Sequence, residues 1–188
     1  MRAAQAETFT EADAAVVAEQ LGRPARGVHG VGYRCSCGRP LVVVTEPRLP
    51  NGTPFPTTYY LTAPRINSRI GTLEASGVMR AMQDRLGTDA ELAAAYRVAH
   101  EAYLEDRAFV GRAHDLEVPE IDGISAGGMP DRVKCLHVLA AHALAAGRGL
   151  NPLGDETLDR LGWTEERCWC TGSWPGTPDT SIDTSTDA

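Results

Sequence analysis

Val28-His29-Gly30-Val31-Gly32-Tyr33-Arg34-Cys35-Ser36-Cys37-Gly38-Arg39-Pro40-Leu41-Val42-Val43-Val44-Thr45 holds two strand signals and the turn between them. Val28 to Arg34 is glycine-rich but β-branched and aromatic. Leu41 to Val44 is a continuous apolar run, the mark of a strand buried on both faces. The link from Cys35 to Pro40 has the length of a hairpin turn. Downstream, Thr57-Thr58-Tyr59-Tyr60-Leu61-Thr62 reads as a third strand, ended by Pro64. Three strands so close in sequence predict a small antiparallel sheet. Everything after Pro64 reads as helix or loop. The fold class expected is therefore α+β, a three-stranded antiparallel sheet packed against a predominantly helical C-terminal part.

Helix signals surround the sheet. Before it, Thr10 is a plausible N-cap with Asp13 at the capping-box position, and Gly22 and Pro24 end the helix. After it, helices are expected from Ile66 to Ala75, from Val78 to Leu86, and from a Thr88-Asp89-Ala90-Glu91 capping box to about Arg107. His100 borders the apolar stripe of that last helix and reads as a packed core histidine. The proline-rich stretch from Glu46 to Thr58 reads as a stiff loop, because proline removes amide donors and fixes the backbone. Residues 1–170 are expected to form one domain. From Thr171 onward Ser, Thr, Pro, Gly and Asp dominate, which predicts a disordered acidic tail over 171–188.

The densest chemistry lies in Gly127-Gly128-Met129-Pro130-Asp131-Arg132-Val133-Lys134-Cys135-Leu136-His137. Pro130 suits a first helical position, so the helix is expected from about Pro130 to Ala146. Arg132 and Lys134 would then stand at the positive end of its dipole, where anions are favoured. Lys134 is the single lysine among 18 basic residues, a point charge that the planar arginine fork does not imitate. The anion-binding set read from this is Arg48 and Thr53 in the proline loop, Arg69, Arg132 and Lys134. Cys135, His137 and His142 are the candidate catalytic groups.

Metal ligation is the other reading of the cysteines. Inside one helix Cys135 and His137 would point about 200° apart, so Cys135 must recruit ligands from elsewhere. The Cys35/Cys37 turn is the obvious donor, and Cys35, Cys37 and Cys135 with one histidine would make a set that zinc accepts. A rival set joins Cys35 and Cys37 to Cys168 and Cys170 as four thiolates. A third reading leaves the cysteines merely packed.

Composition bounds the rest. The net charge of −7 argues against general nucleic-acid or anionic-membrane binding. No stretch resembles a signal core or a membrane span, so a cytoplasmic protein with reduced cysteines is expected. No Walker loop, G-x-G-x-x-G after a strand, H-E-x-x-H or G-x-S-x-G occurs, and the sequence does not decide whether the protein is an enzyme.

Gly22-Arg23-Pro24 through Arg34-Cys35, Pro47-Arg48-Leu49-Pro50-Asn51-Gly52-Thr53-Pro54-Phe55-Pro56-Thr57 with Tyr59 to Thr62, and Gly127 to His137 with His142 together resemble the domain of unknown function family 501. The resemblance covers about residues 10 to 160 and implies a mostly actinobacterial family without an assigned reaction. Its gene neighbourhood implies a link to cell division or phosphate metabolism. Two functions follow as expectations. One is a protein that binds a small anionic, phosphorylated ligand, with a Cys/His metal site. The other is a non-catalytic partner of the division machinery.

Overall fold

The structure, a computed structural model, describes residues 1–170. The expected tail over 171–188 lies outside the described residues. Three strands, β1 (Val28–Arg34), β2 (Pro40–Thr45) and β3 (Tyr59–Leu61), form one antiparallel sheet in the order β1-β2-β3. With the helices that surround it, this is the α+β class expected. β2 is central and every one of its residues is buried, as its unbroken apolar run requires. β3 is shorter than the β-propensity of Thr57 to Thr62 suggests. Thr58 and Thr62 nonetheless keep backbone bonds to Thr45 and Leu41.

α1 (Glu11–Leu21) starts at Thr10, whose side chain and that of Asp13 form the reciprocal capping box. Asp13 has a second role. With Glu7 it grips Arg34 at the end of β1, at 2.7 and 2.6 Å, which ties α1 to the sheet. The Arg34 guanidinium holds the Asp13 carboxyl well below the usual carboxylate range, against the opposing effect of burial.

α2 (Pro64–Ala75), α3 (Val78–Leu86) and α4 (Ala90–Ala113) follow the sheet. The cap of α4 is Asp89 and not Thr88, since Asp89 Oδ1 accepts from the amides of Glu91 and Leu92. α5 (Leu136–Ala146) and α6 (Pro152–Arg160) complete the fold. α5 packs against all three strands and against α2 and α6. Eight of its eleven residues are buried, which matches a helix apolar nearly all round. α6 approaches it closely at Gly154, where a side chain would run into the Leu139 carbonyl and the Ala143 methyl.

The expectation that α5 begins at Pro130 is wrong. Its first residue is Leu136, and Met129 to Lys134 form a compact loop. The amides of Arg132 and Lys134 donate to the carbonyls of Gly128 and Gly127, each at 2.8 Å. Gly128 sits at φ +96°, and a side chain there would strike the Arg132 carbonyl. These glycines therefore serve the turn, and Arg132 and Lys134 precede the helix instead of forming its first turn. Among the described residues no helix is long and apolar enough to cross a membrane.

Candidate metal centre

Cys135 is the N-cap of α5, with extended backbone at φ −155° and ψ 109°. The helical angle that would part Cys135 from His137 does not apply to a residue outside the helix. Their Sγ and Nδ1 atoms lie 3.9 Å apart. A carboxylate from the last turn of α2 completes the group. Glu74 Oε1 lies 3.2 Å from His137 Nδ1 and accepts the Leu136 amide at 2.7 Å. The donor atoms of Glu74, Cys135 and His137 all lie within 4.8 Å of one another.

The far side of the imidazole decides what the near side can do. His137 Nε2 lies 3.0 Å from the Asn67 carbonyl, which can only accept, so Nε2 carries a hydrogen. Nδ1 is then left facing a sulfur and a carboxylate oxygen, and three lone-pair donors converge. A cation relieves that convergence. A proton does so by making the imidazolium. The hydrogen bond to Cys135, the Asn67 carbonyl and the Glu74 charge hold His137 up at about 9, although burial opposes them.

A metal ion would relieve it equally well. One sulfur, one imidazole nitrogen and one carboxylate oxygen are the donor types of three-ligand zinc sites, which keep a fourth position open. Bond lengths of about 2.0–2.3 Å in a tetrahedron place N and O about 3.3 Å apart, and N and S about 3.6 Å apart. The observed 3.2 and 3.9 Å need only a small rotamer adjustment. The site opens on a cavity of about 370 Å³ bounded by Thr57, Tyr60, Asn67 and Val138. Glu74 and His137 are partly exposed, at 23% and 29%.

The remaining candidate residues lie elsewhere. Arg48 clamps the proline loop, donating to the Glu117 and Gly52 carbonyls and pairing with Glu120 at 2.9 Å. Thr53 is exposed in an Asx turn with Asn51. Arg69 borders a separate groove with Thr72, Leu73 and Arg160. Arg132 and Lys134 are exposed in the loop before α5. His142 is fully buried, stacked on Tyr59 at 5.4 Å and edge-on to Tyr103 at 5.1 Å. Its Nδ1 faces Asn151 Nδ2 at 3.2 Å, and burial lowers it to about 3. His142 is thus a neutral core residue behind the site.

The expected Cys35/Cys135 pairing is replaced by two separate groups. Cys135 lies beside residues of β3, whereas Cys35 and Cys37 lie in the turn between β1 and β2. There they meet Cys168, with all three sulfurs within 4.8 Å. Burial and the neighbouring Cys35 and Cys37 push the Cys170 thiol up. Glu74 was not anticipated, yet one sign of it stands in the sequence. It is the only acidic residue of α2, placed in the last turn where the helix dipole disfavours a carboxylate.

No curated protein and no solved structure is recognisably similar to the chain. One family, described as "Protein of unknown function (DUF501)", matches residues 31–159, a stretch that contains Glu74, Cys135, His137 and the whole sheet except its first residues, and the chain belongs to that family.

Proposed function

We propose that this protein binds a zinc ion through Glu74 Oε1, Cys135 Sγ and His137 Nδ1. The ion's fourth position faces the cavity beside Tyr60 and Asn67 and takes an oxygen of a small anionic ligand. The observation that carries the reading is the bond from His137 Nε2–H to the Asn67 carbonyl, which aims Nδ1 at the other two donors. Partners of this kind commonly orient metal-bound histidines. The anion preference follows from the ion itself, a Lewis acid with one position to fill, and from the exposed Lys134 next to Cys135 in the chain.

Metal-stripped full-length protein titrated with Co²⁺ tests this. Cys135→Ser and His137→Ala should each abolish one binding equivalent while the fold, followed by circular dichroism, is kept. Inorganic phosphate should then shift the visible spectrum of the wild-type cobalt form and leave that of His137→Ala unchanged. Equal cobalt stoichiometry in wild type and both variants would sink the metal reading. A loaded site whose spectrum ignores phosphate would sink the anion reading alone.

A further inference from the structure

The second cysteine group is built on different lines. The turn after β1 closes with the Cys35 amide on the Arg39 carbonyl at 2.9 Å and the Gly38 amide on the Cys35 carbonyl at 2.8 Å. Gly38 takes φ +80° there. This folds the chain so that the thiols of Cys35 and Cys37 face the same place. Cys168 joins them from the segment that follows α6, with Cys170 two residues further on. Trp169, between Cys168 and Cys170, is fully buried and stacks on Trp163 at 4.7 Å. Its indole donates to the Thr164 carbonyl at 3.1 Å, so the segment is held from both ends of that side chain.

The sulfurs and the amides around them match a metal better than they match a disulfide. Cys35 and Cys168 sulfurs stand 3.8 Å apart, far beyond the bonding distance of about 2.05 Å. A tetrahedron of zinc–sulfur bonds of about 2.3 Å has an edge of about 3.8 Å. A main-chain donor points at the sulfur of Cys35: the Trp169 amide lies 3.0 Å from Cys35 Sγ. Gln20 Nε2 lies 3.8 Å from Cys170 Sγ. Hydrogen bonds from outside the ligand set commonly orient metal-binding side chains.

We propose that Cys35, Cys37, Cys168 and Cys170 form a structural tetrathiolate zinc site that fastens the segment after α6 to the β1–β2 turn. Binding converts four thiols to thiolates and releases their protons to solvent, with no change in oxidation state. The site offers no open position, so its role is to close the fold and not to present the ion. Two of its ligands lie beyond the family-matched residues 31–159, so this is a feature of the chain and not of the matched stretch alone.

The test uses the full chain, purified without chelator and analysed for zinc by mass spectrometry. His137→Ala, which removes the other proposed centre, should retain one zinc per chain. After exchange with Co²⁺ it should show sulfur-to-metal charge transfer of the intensity expected for four thiolates. The double variant Cys168→Ser/Cys170→Ser should lose that signal and keep the weaker one-sulfur spectrum of the Glu74 centre. Should that variant fail to fold, the cobalt spectrum of His137→Ala alone still counts the sulfurs. A one- or two-sulfur spectrum there, zinc content unchanged by the double variant, or a Cys35–Cys168 disulfide in freshly isolated protein would each overturn the proposal.

Discussion

Two separate cysteine-containing groups adjoin one small sheet, and they differ in every property that matters for an ion. The Glu74/Cys135/His137 group mixes three donor types, is partly exposed and faces a cavity. The Cys35/Cys37/Cys168 group is all sulfur, takes the Trp169 amide on Cys35 and sits beside the stacked Trp163 and Trp169. Mixed donors with a vacancy suit exchange and ligand binding; a closed sulfur set suits holding. Cysteine content alone does not distinguish them, but the company each cysteine keeps does.

The largest effect should come from breaking the sulfur group. An ion held a thousand-fold above its dissociation constant stabilises by about 4 kcal/mol. For a chain of this size that is about 8–16 °C in melting temperature. Cys35→Ser should lose this amount, measured by calorimetry in the presence of zinc. The Glu74→Gln variant should lose far less. If the two losses are equal, the division between holding and presenting fails.

Gly154→Ala is next. Its methyl group would press on the Leu139 carbonyl and push α6 from α5. Overpacking of this kind costs about 1–3 kcal/mol. Because α5 carries His137, the variant should also weaken metal binding at the mixed site. Unchanged cobalt affinity at the mixed site would mean that α5 holds His137 in place without α6.

Acid separates the ion sites from the core behind them. His142 titrates at about 3 in the folded protein because burial disfavours its charged form. In the unfolded chain it should titrate near 6.5. The unfolded state therefore binds the proton that the native state refuses. Its contribution is complete above about pH 6.5 and is lost as pH falls towards 3, at up to about 1.4 kcal/mol per pH unit. Denaturant melts of metal-free protein should show this slope, and His142→Phe should flatten it. A slope unaffected by that substitution would place the acid sensitivity elsewhere.

The smallest change concerns the cap. Glu74→Gln keeps an oxygen for the Leu136 amide but removes the charge, so stability should change by less than about 1 kcal/mol. Zinc affinity at the mixed site, measured by competition with a chromogenic chelator, should nonetheless fall by more than about ten-fold. Unchanged affinity would mean that Glu74 is only a helix cap.

The sheet was legible because each of its strands announces itself within a few residues, and β2 in particular has no polar residue from Leu41 to Val44. α1 was legible for a similar reason, since Thr10 and Asp13 satisfy each other locally. α5 was misread at its start because Pro130 and the glycines suit either a first turn or a loop. The choice depends on hydrogen bonds from Arg132 and Lys134 back to Gly128 and Gly127, which residue identity does not reveal. That error carried the geometry of Cys135 and His137 with it. The partners of Cys35 depended on where the segment after α6 returns, a matter of packing around Trp163 and Trp169. Both pairings were open in the sequence, and residue identity did not choose between them.

Glu74 Oε1 serves two neighbours at once, the Leu136 amide and His137 Nδ1. An ion drawing on that oxygen would take electron density from the bond that caps α5. Occupancy of the mixed site is thereby coupled to the fraying of one helical turn. The Leu136 amide proton becomes an internal gauge of it, readable through its chemical shift and its exchange with deuterium, without any label placed in the cavity.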